Sequence, residues 1–108
     1  GEKIAAQFLH DAGMVILDRN WTSRFGEIDI VAREGDTLVV CEVKTRSSSA
    51  YGTSSDAVTP AKASRLRTLA EAWLLAHPLN PGCVRIDVIA IHVPARGAAE
   101  IRHIKAVA

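Results

Sequence analysis

Asp29, Glu42 and Lys44 are the residues of this chain whose types and spacing could do chemistry together. They lie in the stretch Gly26 to Arg46, GEIDIVAREGDTLVVCEVKTR, which reads as two β-strands joined by a tight turn. Leu38 to Thr45 is rich in β-branched residues, and Ile28 to Ala32 is a shorter run of the same kind. Gly35-Asp36 between them fits a two-residue type II′ turn, with glycine where φ must be positive. That turn places Glu34 against Thr37 and, counting back, Asp29 against Glu42. Alternation along a strand puts Lys44 on the face of Glu42, and the pairing brings Asp29 to the same face. Two carboxylates directly across an antiparallel pair stand about 5 Å apart at Cβ, where like charges repel. A divalent metal with a neighbouring ammonium would resolve that repulsion.

A plainer reading is a solvated face on which Lys44 pairs with both acids. Two features weigh against it. Leu38 and Val40 precede Glu42 on its own face, so the acid is appended to an apolar stripe. Val39, Cys41 and Val43 make the other face apolar as well, and a strand apolar on both faces is normally central in its sheet. A Glu-x-Lys pair near the end of such a strand is costly unless it is paired or bound to metal.

The 108 residues suit one domain, 1–108, with a single modest core. At 48% hydrophobic and 23% charged residues the composition is that of an ordinary globular protein. No apolar run approaches the ~20 residues that span a bilayer, and no signal peptide is visible. Cys41 and Cys83 lack a CxxC spacing and read as two buried, reduced thiols, which predicts a cytoplasmic protein without membrane association. The net charge of +1 is unevenly spread: −4 over Gly1 to Val43, +4 over Lys44 to Arg67 and +1 beyond. An acidic hairpin followed at once by a basic stretch suits a phosphate backbone held by bases while a metal sits on the acids.

The elements that must position these residues follow from local pattern. Ile4, Ala5, Phe8, Leu9 and Ala12 fall at helical spacing, so Gly1 to Ala12 predicts a helix with Gly13 beyond its end. Glu2 lies in its first turn, where a carboxylate complements the helix dipole. The small residues Ala5 and Ala6 would let that end approach a sheet closely. Met14 to Leu17 reads as a short strand, and Asp18 to Phe25 as an exposed connection whose Arg19, Asn20 and Arg24 could meet nucleic acid, with Trp21 a partly buried anchor. Ser47 to Thr59 is a polar loop placed to close over the site, and its Tyr51 could meet phosphate or base. Thr59 as N-cap and Pro60 at the first position open a helix to about Ala76, with an apolar stripe of Leu66, Leu69, Ala70, Trp73 and Leu74. Lys62 and Arg65 near its start suit phosphate binding. Val84 to Val93 and Ile101 to Val107 read as strands, with Asp87 a satisfied polar group in the first. His10, His77, His92 and His103 share no spacing and receive no metal or catalytic role. The order is α-β-β-β-α-β-β, an α/β fold with one mixed sheet flanked by helices in three layers.

An acid in the first helix, then Asp29, then Glu42-Val43-Lys44 resembles the pattern of the restriction-endonuclease-like nucleases. More closely, the chain resembles the YraN-like proteins, predicted endonucleases distantly similar to archaeal Holliday junction resolvases. Gly1-Glu2, Arg19-Asn20, Gly26-Glu27-Ile28-Asp29, Glu42 to Arg46, Lys62 and Arg85 to Val88 carry the resemblance. It implies a metal-dependent nuclease that hydrolyses phosphodiester bonds in branched or otherwise structured DNA. Asp29 and Glu42 would ligate Mg²⁺ or Mn²⁺, hard ions that prefer oxygen, with the Val43 carbonyl a further ligand. Lys44 would orient the attacking water or offset transition-state charge. Glu2 would add a ligand or hold a water, Glu27 would be structural or stand behind the ligands, and Arg46, Lys62 and Arg65 would hold the backbone. The expected partner is nucleic acid, DNA ahead of RNA, and cutting two strands would call for a symmetric homodimer. The competing reading is a non-catalytic nucleic-acid-binding module on the same fold; a third is an assembly protein whose acids are surface groups.

Overall fold

The computed structural model describes residues 1–47 and 59–107. A five-stranded sheet with strands in sequence order carries one helix on each face. Helix α1 (Glu2–Asp11) precedes β1 (Val15–Ser23), β2 (Gly26–Glu34) and β3 (Thr37–Ser47); helix α2 (Pro60–Ala76) then leads to β4 (Cys83–Val93) and β5 (Glu100–Ile104). All neighbours pair antiparallel except β3 and β4, which are parallel. A parallel pair needs a long crossover, and α2 lies within it. The mixed sheet, the flanking helices and the order α-β-β-β-α-β-β are those expected from the sequence.

Each face of the sheet has its own core. Ala5 and Leu9 of α1 cover Ile30, Ala32, Val39, Cys41, Ile89 and Ile91. On the other face Leu66, Leu69, Ala70 and Trp73 of α2 cover Ile28, Val31, Leu38, Val40 and Ile86. β3 therefore contributes alternate residues to both cores, as its two apolar faces predict. α1 stops where glycine permits it: Gly13 takes φ +95°, its N–H bonds to the His10 carbonyl, and the Met14 N–H reaches Leu9. Met14 and Leu9 are buried in the same core, which completes the glycine-terminated helix end. Thr59 caps α2 by accepting the Lys62 N–H at 3.1 Å.

Three expectations need correction. Asp18 to Phe25 is not a connection; residues through Ser23 continue β1. Its polar composition reflects an edge strand with one paired side, and a register shift between Ile16 and Asp18 together with φ +53° at Asn20 breaks the alternation that would have revealed it. Trp21 is indeed a partly buried anchor against the α2-side core. The last strand ends at Ile104, because Ala106 turns at φ +56° and sends its own N–H to the Asp87 carboxylate. Cys83 is exposed at the first position of β4, whereas Cys41 is buried; both thiols are free. Residues 48–58, with Tyr51, lie outside the described residues, and so does most of the polar loop read from the sequence. Among the described residues no helix is long and apolar enough to cross a membrane.

Candidate metal and phosphate site

The hairpin of β2 and β3 turns at Gly35, φ +59°, and pairs in the expected register from Glu34↔Thr37 to Ile30↔Cys41. There the pairing stops, one step short of Asp29 and Glu42. The Val43 N–H donates instead to Asp29 Oδ2 at 2.8 Å. Ile28 and Ile30 are two residues apart and should share a face, yet they lie in opposite cores. The alternation of β2 is thus interrupted at Asp29, and the simple cross-strand placement of Asp29 against Glu42 is corrected. The two strands part at the functional residue, and a carboxylate takes the place of a ladder carbonyl.

What Asp29 meets is set by α1. The helix start packs so closely on β3 that a side chain at Gly1 would strike Thr45, and Ala5 is fully buried. The small residues do allow the close approach expected of them. As a result Glu2, Glu27 and Asp29 each bring a carboxylate oxygen within 4.8 Å of the others. Burial pushes the Asp29 carboxyl above its ordinary value of 3.8; the Val43 N–H opposes this, and the charges of Glu2, Glu42 and Glu27 add to it. Glu27, expected to stand behind the ligands, belongs to the cluster itself. Its signal in the sequence was its spacing of two residues from Asp29.

Glu42 faces α2 rather than this trio. Its Oε1 lies 3.0 Å from Lys62 Nζ and 4.0 Å from Lys44 Nζ. Its Oε2 is buried with no partner among the described residues. Burying a carboxylate oxygen without a donor is costly, so this atom is disposed to take a cation. Lys44 is pushed below its ordinary 10.5, first by Lys62 and then by burial, against the pull of Glu42. Lys62 is held above 10.5; burial works against it, and hydrogen bonding to Lys44 and Glu42 outweighs that. Lys62 was read from the sequence as a phosphate contact, and the structure ties it to Glu42. Arg46 is half-buried, with its Nε lacking a partner among the described residues, and Arg65 is exposed. The Val43 peptide is engaged through its N–H.

The raised pKa of Asp29 carries a stability consequence. A carboxyl raised in the folded state stabilises the fold only while protonated, and that contribution is lost as pH rises through its folded value. Ionised Asp29 is therefore a burden at neutral pH. Asp29→Asn can still accept the Val43 N–H, and it should raise the thermal midpoint at pH 7 in chelator by a few degrees. The gain should vanish near pH 3, as thermal denaturation at the two pH values would record.

Asp87 forms a separate, closed group. Fully buried, it accepts Arg85 Nε and a terminal Arg85 nitrogen at 2.9 and 3.0 Å and the Ala106 N–H at 3.0 Å, with His103 Nε2 at 2.7 Å. Arg85 also donates to Glu34 at 2.9 Å. This is the satisfied polar group expected from the sequence.

Residues 1–91 match the family described as "Uncharacterised protein family UPF0102". A UPF0102 protein of Kineococcus radiotolerans is 57% identical, with 99% of this chain and 88% of that protein covered. The UPF0102 protein SCO5602 of Streptomyces coelicolor is 54% identical, covering 100% of this chain and 85% of that protein. Among solved structures, Archaeoglobus fulgidus Hjc, a Holliday junction resolvase, matches with a TM-score of 0.47 and 20% identity, over 96% of this chain and 83% of that one.

Proposed function

The chain belongs to the uncharacterised protein family UPF0102, the YraN-like family, and on the chemistry of its site we propose that it is a divalent-metal-dependent endonuclease acting on branched or otherwise structured DNA. The observation that carries this reading is the convergence of Glu2, Glu27 and Asp29 within 4.8 Å beside a Glu42 oxygen that is buried and unpaired. Like charges packed at a half-buried position destabilise a fold, and a hard cation that prefers oxygen donors removes the cost. Mg²⁺ or Mn²⁺ fits an all-carboxylate donor set; a soft metal would want thiol or imidazole. Asp29 and Glu42 are the principal ligands in this reading, with Glu2 and Glu27 adding oxygens and the Val43 carbonyl within the same turn of chain.

When bound, the ion would acidify a water and neutralise charge on the scissile phosphate. The chain's own residues do the rest. The Val43 N–H fixes one oxygen of Asp29 and leaves the other free. Lys62 holds Glu42 Oε1 and so leaves Oε2 for the ion. Of the two amines, Lys44 gives up its proton more readily; it is placed to align the attacking water or to meet charge at phosphorus. Arg65 and Arg46 contribute positive charge for the flanking backbone. In this reading the protein works in the cytoplasm on DNA, and a pair of chains would be needed to cut two strands.

Lys62→Met should leave the fold intact and lower Mn²⁺-dependent cleavage of a branched DNA about 10- to 100-fold, the usual cost of removing a group that orients a metal ligand. DNA affinity should fall by far less, since one phosphate contact at most is lost. Parallel cleavage and anisotropy measurements on the variant test this, and an equal loss in both would return Lys62 to a backbone contact.

A further inference from the structure

The turn between β1 and β2 leaves an aromatic ring in solvent beside the carboxylate cluster. Phe25 is 46% exposed, and the Arg24 guanidinium lies over one face of its ring, 4.9 Å from the centroid. The turn is held in shape: Ser23 Oγ accepts the Phe25 N–H at 3.1 Å and donates to the Gly26 carbonyl at 3.3 Å. Gly26 adopts φ +133° and lies over Leu69 of α2, where a Cβ would stand 3.7 Å from that side chain. The ring is therefore presented by a turn seated on a helix.

Two routes along the chain place it relative to the acids. Phe25 precedes Asp29 by four residues, roughly 13 Å at about 3.3 Å per strand residue. Leu69, beneath the turn, follows Lys62 by seven residues of α2, roughly 10 Å at about 1.5 Å per residue, and Lys62 holds Glu42. Arg65 is exposed between them on the same side of the helix. A guanidinium for phosphate and then a flat ring thus lead away from the acids in one direction.

We propose that Phe25 and Arg24 form a stacking platform for an unpaired nucleobase, about three to four nucleotide steps from the phosphate at Asp29 and Glu42, taking ~3.4 Å per step. An aromatic face capped by a guanidinium accepts any base, and it selects unpaired ones because bases within a duplex have their faces covered by neighbours. The base stacks on the face that Arg24 leaves open, while Arg24 reaches the adjoining phosphate. This rests on the nuclease reading and supplies its preference for branch points or flaps.

The test uses the full chain in chelator with a flapped DNA carrying 2-aminopurine at successive positions of its single-stranded arm. Binding is followed by anisotropy and stacking by quenching. Wild type should quench one or two adjacent positions; Phe25→Ala should bind roughly tenfold more weakly without that quenching, and Phe25→Trp should restore both. Phe25 is exposed, and a thermal melt of Phe25→Ala checks that its fold is kept. Wild-type affinity and quenching in Phe25→Ala would overturn the platform alone. Wild-type protein that binds neither flapped nor duplex DNA would overturn the nuclease reading as well.

Discussion

Glu42→Gln should abolish Mn²⁺-dependent cleavage of branched DNA, by roughly a thousandfold or more, while DNA affinity changes only a few fold. Metal and phosphate charge together supply several kcal/mol of transition-state stabilisation, and about 1.4 kcal/mol is a factor of ten in rate. The amide keeps the shape of Glu42 but loses the charge that its buried Oε2 would bring to a cation and that Oε1 shares with Lys62 at 3.0 Å. Both lysines then face each other without a carboxylate between them. Cleavage under single-turnover conditions, with anisotropy for binding, separates the effects. A variant that cleaves within tenfold of wild type would remove Glu42 from the reaction.

Asp87→Asn should cost about 3–5 kcal/mol of stability, the usual result of breaking one side of a buried ion pair. That is a large share of the roughly 5–15 kcal/mol holding a domain of this size. Arg85 and the Ala106 N–H are donors with His103 Nε2 beside them, so an amide must set its own N–H₂ against a donor. Burial alone would raise the Asp87 pKa; Arg85, the Ala106 N–H and His103 reverse that and hold it below the ordinary 3.8. A depressed carboxyl stabilises the fold above its unfolded value, and the contribution is lost as pH falls through the folded one. The difference between wild type and variant in urea denaturation should be full at pH 7 and shrink below pH about 3.8. A difference under about 1 kcal/mol at pH 7 would mean that the network contributes little.

The central hairpin, both helices, their caps and the strand order were legible because each rests on local chemistry. Gly35 sets the turn, Gly13 ends α1, Thr59-Pro60 opens α2, and the two apolar faces of β3 make it central. The carboxylates Asp29 and Glu42 and the lysine Lys44 were legible for the same reason. What was hidden depends on packing. β1 reads as a loop past Leu17 because an edge strand has a solvated side and this one carries an irregularity. The break in β2 at Asp29 cannot be seen in GEID, since it arises from Ile28 and Ile30 being claimed by cores on opposite faces. Glu27 joins the cluster only because α1 brings Glu2 beside it, and Lys62 meets Glu42 only because α2 lies across β3. Sequence distance concealed both contacts.

The most direct test is a calorimetric titration of Mn²⁺ and Mg²⁺ into wild type and the Asp29→Ala/Glu42→Ala double variant, alone and with a DNA duplex. Binding to wild type that disappears in the double variant is the result predicted from four carboxylates gathered around one half-buried position. Undiminished binding in the double variant, or none in wild type even with duplex present, would contradict a metal-dependent nuclease.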